Sequence, residues 1–138
     1  MDKQEIIKKI HQASENTLNS NLGIEITDIG RDFVCGKMPV DERTIQRFGI
    51  LHGGASAAFA ETLGSIASTM QIDLKTERAV GVEINANHLK SVKSGWVYGE
   101  ASPVRIGRKI QVWNIEIKNE AEELICVSRL TMAVIKRK

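Results

Sequence analysis

Hydrophobic and polar positions follow two different periods along this chain. Over residues 2 to 18, Ile6, Ile7, Ile10 and Leu18 share a face with Lys and Gln opposite, which predicts an amphipathic helix closed by Gly23. Ile24, Ile26 and Ile29 then lie among polar neighbours, and Val34, Met38 and Val40 interleave with Phe33, Cys35 and Lys37. These read as two short strands turning at Gly30-Arg31-Asp32. Pro39 and Asp41 break the alternation, and residues 41 to 52 read as a loop. The helical period returns from about Gly54 to about Gln71, where Phe59, Leu63, Ile66, Ala67 and Met70 form a bulky stripe. Glu61 and Ser65, one turn apart, form a second stripe on the far side, among Gly54, Ala57, Ala58, Gly64 and Ser68. The expectation is a helix with a large-residue face toward the core. Its small-residue face would be open to another backbone or a flat ligand.

From Arg78 to Ile135 the period is two. Val80, Val82, Ile84 and Ala86 alternate with Gly81, Glu83, Asn85 and Asn87, and Trp96 to Ala101 is the next strand. Trp113, Ile115 and Ile117 alternate with Val112, Asn114, Glu116 and Lys118. In the last strand, Leu124, Cys126, Ser128, Leu130, Met132 and Val134 alternate with a second mostly apolar row, which predicts burial on both faces. Turns fall at Lys93-Ser94-Gly95, near Gly107 and at Asn119-Glu120. Short hairpins require these four strands to be largely antiparallel. The pattern predicts an α+β domain over residues 1–138, a long curved sheet around one central helix, with residues 1–19 as a helical extension.

Composition narrows the partners. The 138 residues suit one domain with a real core, and 42% hydrophobic with 26% charged content is that of a soluble globular protein. A net charge of +2, spread apart from Lys136-Arg137-Lys138, and 4% aromatics argue against nucleic acid as a partner. Cys35 and Cys126 sit in apolar segments without metal spacing, so they read as buried free thiols in a reducing cytoplasm. The charged N-terminus lacks the apolar core of a signal peptide, and no run approaches the ~18 apolar residues of a membrane span.

The candidate chemistry lies between Phe48 and Ile72. Glu61 is the only acid there, no Lys or Arg accompanies it, and His52 is the one other ionisable side chain. In the middle of a buried helix, a carboxylate missing its partner costs on the order of 3–5 kcal/mol. Two readings follow: Glu61 pairs with a Lys or Arg from elsewhere in the fold or from a partner subunit, or it does chemistry. The helix opens with His52-Gly53-Gly54. Free N–H groups and a partial charge of about +0.5 at such a start suit an oxygen gaining negative charge. A carboxylate two turns on can act on the same carbonyl carbon, directly or through water. Ser65 can orient a water, and Gln46 stands in the preceding loop. The plainer alternatives are His52 as a cap, Gly53-Gly54 as a tight turn, and Ser65 bonding a carbonyl one turn back. The absence of His-Glu-x-x-His spacing disfavours zinc, and the absence of Gly-x-Ser-x-Gly disfavours a serine hydrolase.

The string Phe48-Gly-Ile-Leu-His-Gly-Gly-Ala-Ser, followed by Ala60-Glu61-Thr-Leu-Gly-Ser65, resembles the hotdog-fold acyl-CoA thioesterases of the phenylacetic-acid-pathway type. Val82-Glu-Ile-Asn-Ala-Asn-His88 and Gln111-Val-Trp113 match the same family, and the likeness runs from about residue 20 to 135. Within it the chain is most similar to bacterial 1,4-dihydroxy-2-naphthoyl-CoA hydrolases of menaquinone synthesis. The resemblance implies a hotdog fold and hydrolysis of an acyl-CoA thioester, with an aromatic acyl group, without cofactor or metal. It implies a homodimer, often a tetramer, with the active site between subunits. Glu61 matches the catalytic carboxylate, as nucleophile or general base, and Gly53 the N–H that polarises the thioester carbonyl. Gln46, His52 and Ser65 match helpers, and Gly81 a further ligand contact. His88, Leu89, Lys90 and Ser91 match one wall of the CoA groove, and Arg105, Ile106, Gly107, Arg108, Lys109 and Ile110 another. Lys90, Arg105, Arg108 and Lys109 would supply charge for phosphates. The rival readings are a hotdog dehydratase or hydratase acting on acyl thioesters, and a non-catalytic acyl-CoA-binding module.

Overall fold

The computed structural model describes all 138 residues. Helix α1 spans Lys3–Ala13, capped by the Asp2 carboxylate, which accepts from the Glu5 N–H at 2.9 Å. It is shorter than the periodicity predicts. The chain breaks at residues 14–17, with Asn16 at φ 61°, and restarts as the single turn α2, Leu18–Asn21. Leu18 therefore leaves the face of Ile6, Ile7 and Ile10 and stands exposed.

Strands β1 (Glu25–Ile29) and β2 (Val34–Val40) form the expected hairpin, and helix α3 (Gly53–Thr69) follows the loop. Strands β3 (Glu77–His88), β4 (Gly95–Ile106), β5 (Ile110–Lys118) and β6 (Leu124–Lys136) complete one sheet. Its order is β1-β2-β4-β5-β6-β3, antiparallel throughout, with α3 packed across β2 to β6. This is the sheet wrapped on a central helix that the resemblance implies. No helix is long and apolar enough to cross a membrane.

Glycines bring helix and sheet together. Gly36 and Gly99 are cross-strand partners on β2 and β4. A Cβ on either would stand 2.8 or 2.7 Å from a Leu63 methyl, so their bare backbone is the hole that Leu63 and Phe59 fill. Gly64 acts in the same way from the helix, since a Cβ there would meet Leu130 at 2.6 Å. The small residues Gly64 and Ser68 are thus buried against the chain's own sheet, so there the close approach is that of helix and sheet, while Gly54 stays exposed and Ala57 and Ala58 half-buried.

Three strand expectations also change. The turn at Lys93-Ser94-Gly95 closes no hairpin, because β3 pairs only with β6 while β4 lies between β2 and β5, so the chain crosses from one side of the sheet to the other there. Between Gly81 and Glu83 the β3–β6 register shifts, and Val82 is the extra residue of a bulge. A one-residue bulge exchanges the faces, so Ala79 before it and Ile84 and Ala86 after it pack on the core. Val80 and Val82 are left 39% and 61% exposed. Strand β6 buries Cys126, Ser128, Leu130 and Met132, but Arg129 on its other face is exposed, so the strand is not buried on both sides.

The buried hydroxyls of Ser68 and Ser128 have no hydrogen-bond partner. Removing an unsatisfied buried polar atom relieves its desolvation cost. Ser68→Ala and Ser128→Ala are expected to hold or raise stability, by up to about 1 kcal/mol each. Chemical denaturation reads this directly, and a clear loss in either variant would show a partner, such as a fixed water.

Candidate active site

Helix α3 begins because His52 caps it. Its Nδ1 accepts from the Gly54 N–H at 2.7 Å, and its carbonyl accepts from the N–H groups of Ala55 and Ser56. Three of the first four helical N–H groups are thereby used. The Gly53 N–H alone has no partner. The imidazole of His52 is a cap, as one sequence reading held. It faces a different depression, shared with Leu18, Leu22 and Ile45.

Gly53, Gln46, His88, Leu89, Lys90 and Ser91 line one depression of about 350 Å³. The Gln46 side-chain oxygen accepts from the Phe48 N–H and its backbone bonds Ile50, so a tight turn holds it there. His88 ends β3 on the core-facing row created by the bulge. Its Nε2 would lie 2.8 Å from a Cβ on Gly53. Only glycine leaves the free N–H open beside that imidazole. Ser56, 2% exposed, also lines the depression and was not singled out from the sequence. Its i, i+3 spacing from Gly53 was the available signal.

Glu61 corrects one expectation, being exposed in the single chain rather than buried, and it pairs with no Lys or Arg of its own chain; the three ion pairs are Lys3–Asp28, Arg43–Asp41 and Lys90–Glu123. It also lies eight residues beyond Gly53, about 12 Å along the helix at about 1.5 Å per residue. Within one chain the two cannot meet the same carbonyl. Glu61 instead reaches across β3 at Gly81, where a Cβ would come within 2.9 Å of its Oε2. Ser65 sits one turn on, its hydroxyl 3.9 Å from Met132 Sδ rather than on a backbone carbonyl.

The two predicted walls of the CoA groove stand apart as well. His88 pairs with Cys126 and Ile110 with Ala133, seven residues along β6, or about 23 Å. Arg105, Ile106, Arg108, Lys109 and Ile110 are exposed around the β4–β5 turn at Gly107, near the Gly81 end of the sheet. Arg105, Arg108 and Lys109 carry no ion pair. Lys90 does: it is bound to Glu123, whose carboxyl it holds below its ordinary value. The pair is half exposed and screened by solvent, so it leaves the lysine within reach of a ligand.

Residues 48–126 match the thioesterase superfamily. The chain belongs to that superfamily. This thioesterase is 42% identical over 129 residues to a 1,4-dihydroxy-2-naphthoyl-CoA hydrolase of Escherichia coli, covering 94% of each chain. It is 45% identical to the proofreading thioesterase EntH of Cronobacter turicensis, covering 94% of this chain and 93% of that one. The crystal structure of a thioesterase from Haemophilus influenzae superposes with a TM-score of 0.91 at 48% identity, over 94% of this chain and 90% of that one. The chain is a thioester hydrolase with the hotdog fold.

One thiol also departs from expectation. Cys126 is buried, but Cys35 is only half-buried and lines a depression on the outer face of the sheet. Burial, then the negative charges of Glu100 and Asp28, push the Cys35 thiol up to about 11. A raised thiol value favours the protonated folded form, so this contribution to stability holds below the ordinary 9.0 and is lost as pH rises toward about 11. Cys35 in the folded protein is expected to alkylate with iodoacetamide far more slowly at pH 8 than free cysteine, its rate climbing only near pH 11. Peptide mass spectrometry against pH checks this; rapid labelling at pH 8 would contradict it.

Proposed function

We propose that this thioesterase hydrolyses an aromatic acyl-CoA at a site built by two copies of the chain. The observation that carries the reading is the separation of its two halves. The free Gly53 N–H and the His88 depression lie toward one end of the sheet, and Glu61, Gly81 and the unpaired Arg105, Arg108 and Lys109 toward the other. Strand β3 is a twelve-residue edge with no neighbour on its outer side. An edge of that length invites pairing with a second strand. Two copies joined there about a two-fold axis run antiparallel, so the Gly81 end of one faces the His88 end of the other. Glu61 then approaches the partner's Gly53, and the two CoA walls close into one groove. Exposed Phe48, Val82 and Leu89, at 75%, 61% and 57%, support coverage of this region by a partner.

In this site the Gly53 N–H donates to the thioester oxygen and draws charge off the carbonyl carbon. The Glu61 carboxylate either takes a proton from an attacking water or attacks the carbon itself, forming an anhydride that water then opens. Collapse of the tetrahedral intermediate breaks the C–S bond and releases CoA thiolate; the free acid forms at once on the water route and on opening of the anhydride on the other. No step requires a cofactor or metal. Single turnover in ¹⁸O-water separates the routes, because only the anhydride route leaves label in Glu61. The aromatic acyl group is supported by the likeness to the naphthoyl-CoA hydrolase and EntH. A cytoplasmic setting is part of the proposal, supported by two unpaired thiols.

The test is CoA release from a panel including 1,4-dihydroxy-2-naphthoyl-CoA, benzoyl-CoA and straight-chain acyl-CoAs, with Glu61→Ala as control. Higher kcat/KM for the aromatic thioesters is expected; a preference for straight chains would overturn the acyl assignment. Neutralising Arg105, Arg108 or Lys109 is expected to raise KM several-fold with kcat kept, because phosphates are held alike in ground and transition states. The effect shrinks as salt rises. An equal loss with a substrate truncated to its pantetheine arm would exclude phosphate contacts.

A further inference from the structure

Ser56 is the one group in the depression whose presence nothing above explains. It is 2% exposed, yet its hydroxyl makes no hydrogen bond and is not among the buried polar atoms sealed from solvent. A helical serine ordinarily bonds the carbonyl four residues back. Here that carbonyl, His52, is already shared by the Ala55 and Ser56 N–H groups. The hydroxyl is left facing the depression that Gly53, Gln46 and His88 also line. Gly53 and Ser56 are i, i+3 on α3, so the free N–H and the free hydroxyl stand on the same side of the first turn. An unpartnered hydroxyl on a side chain this buried is costly until water or a ligand from the depression completes it.

We propose that the Ser56 hydroxyl is a second donor to the thioester oxygen, acting beside the Gly53 N–H. The inference rests on the acyl-CoA hydrolase reading and assigns a further residue within it. The hydroxyl proton is donated to the carbonyl oxygen and remains on Ser56, so no bond is made or broken there. As charge builds on that oxygen the hydrogen bond strengthens, and it relaxes when the C–S bond breaks.

Two non-hydrolysable benzoyl-CoA analogues isolate this contact. In the ketone analogue a methylene replaces sulfur and the carbonyl stays; in the thioether analogue the carbonyl is reduced to methylene. Wild-type protein is expected to bind the ketone more tightly by calorimetry. Ser56→Ala is expected to lose most of that preference while binding the thioether as before. Its kcat with benzoyl-CoA should fall on the order of ten- to a hundredfold, with KM within about twofold. Alanine is a good helix former, so the fold should persist, and an unchanged melting temperature verifies it. A preference retained in full by Ser56→Ala, with kcat near wild type, overturns the Ser56 assignment alone. Wild-type protein that prefers neither analogue and releases no CoA overturns the acyl-CoA reading, and Ser56 with it.

Discussion

Glu61→Gln is expected to lower kcat by roughly two to four orders of magnitude while substrate binding is largely kept. Glutamine has the size of glutamate but neither its charge nor its basicity, so it can neither deprotonate water nor attack the thioester. Exposure sharpens the test. Glu61 has no ion pair and stands at the surface of the single chain, so removing its charge breaks no structural contact. The melting temperature should stay close to wild type. Had Glu61 been half of a buried pair, the substitution would have unfolded the chain and lowered activity only in proportion. Near-normal turnover in Glu61→Gln would refute the catalytic assignment outright.

Gly53→Val is expected to be nearly as damaging, for a steric reason. A Cβ at this position already comes within 2.8 Å of His88 Nε2, and valine adds two methyls beside the only free N–H of α3. One oxyanion donor is worth on the order of 3 kcal/mol of barrier, so kcat should fall by about two orders of magnitude. The shared site makes a stronger prediction. Glu61→Ala and Gly53→Val are each inactive alone. Mixed, they should recover activity, because a mixed dimer holds one site with an intact Glu61 and an intact Gly53. At full exchange half the dimers are mixed and each carries one good site of two, so about a quarter of wild-type activity is the ceiling. Native mass spectrometry must establish exchange first. Confirmed mixed dimers without recovered activity, or a fully active monomer, would eliminate the shared site.

Much of the fold was legible because its signals are local. The alternation of Trp113, Ile115 and Ile117 needs only neighbouring residues, and all three are buried. The bulky stripe of α3 is likewise local, and Phe59 and Leu63 fill the core as it predicts. Hairpins at Gly30, Gly107 and Asn119 follow from turn chemistry, and the antiparallel pairing of their strands follows from them, whereas the turn at Gly95 joins two strands that are not neighbours. The opening His52-Gly53-Gly54 was readable for the same reason, since a cap and the glycine that leaves its N–H free are adjacent in sequence.

What the tertiary structure alone decided depends on residues far apart in the chain. Alternation continues in the letters from Val80 to Ala86, but the bulge at Val82 comes from pairing with Met132 and Thr131, and it turns His88 toward Gly53. The partner that Gly64 accommodates is Leu130, sixty-six residues on, so its smallness looked like an open face until the sheet was in view. Charge scarcity around Glu61 read as burial, because a run of apolar neighbours cannot reveal that the helix turns this one position outward past the edge strand. The sequence by itself determined the fold class, through periodicity and motif, and put forward Glu61 and Gly53 as the groups proposed to carry the chemistry. Only the packing of α3 across the sheet decided that Glu61 and Gly53 lie too far apart to serve one carbonyl, a separation fixed by the rise of the helix that carries them both.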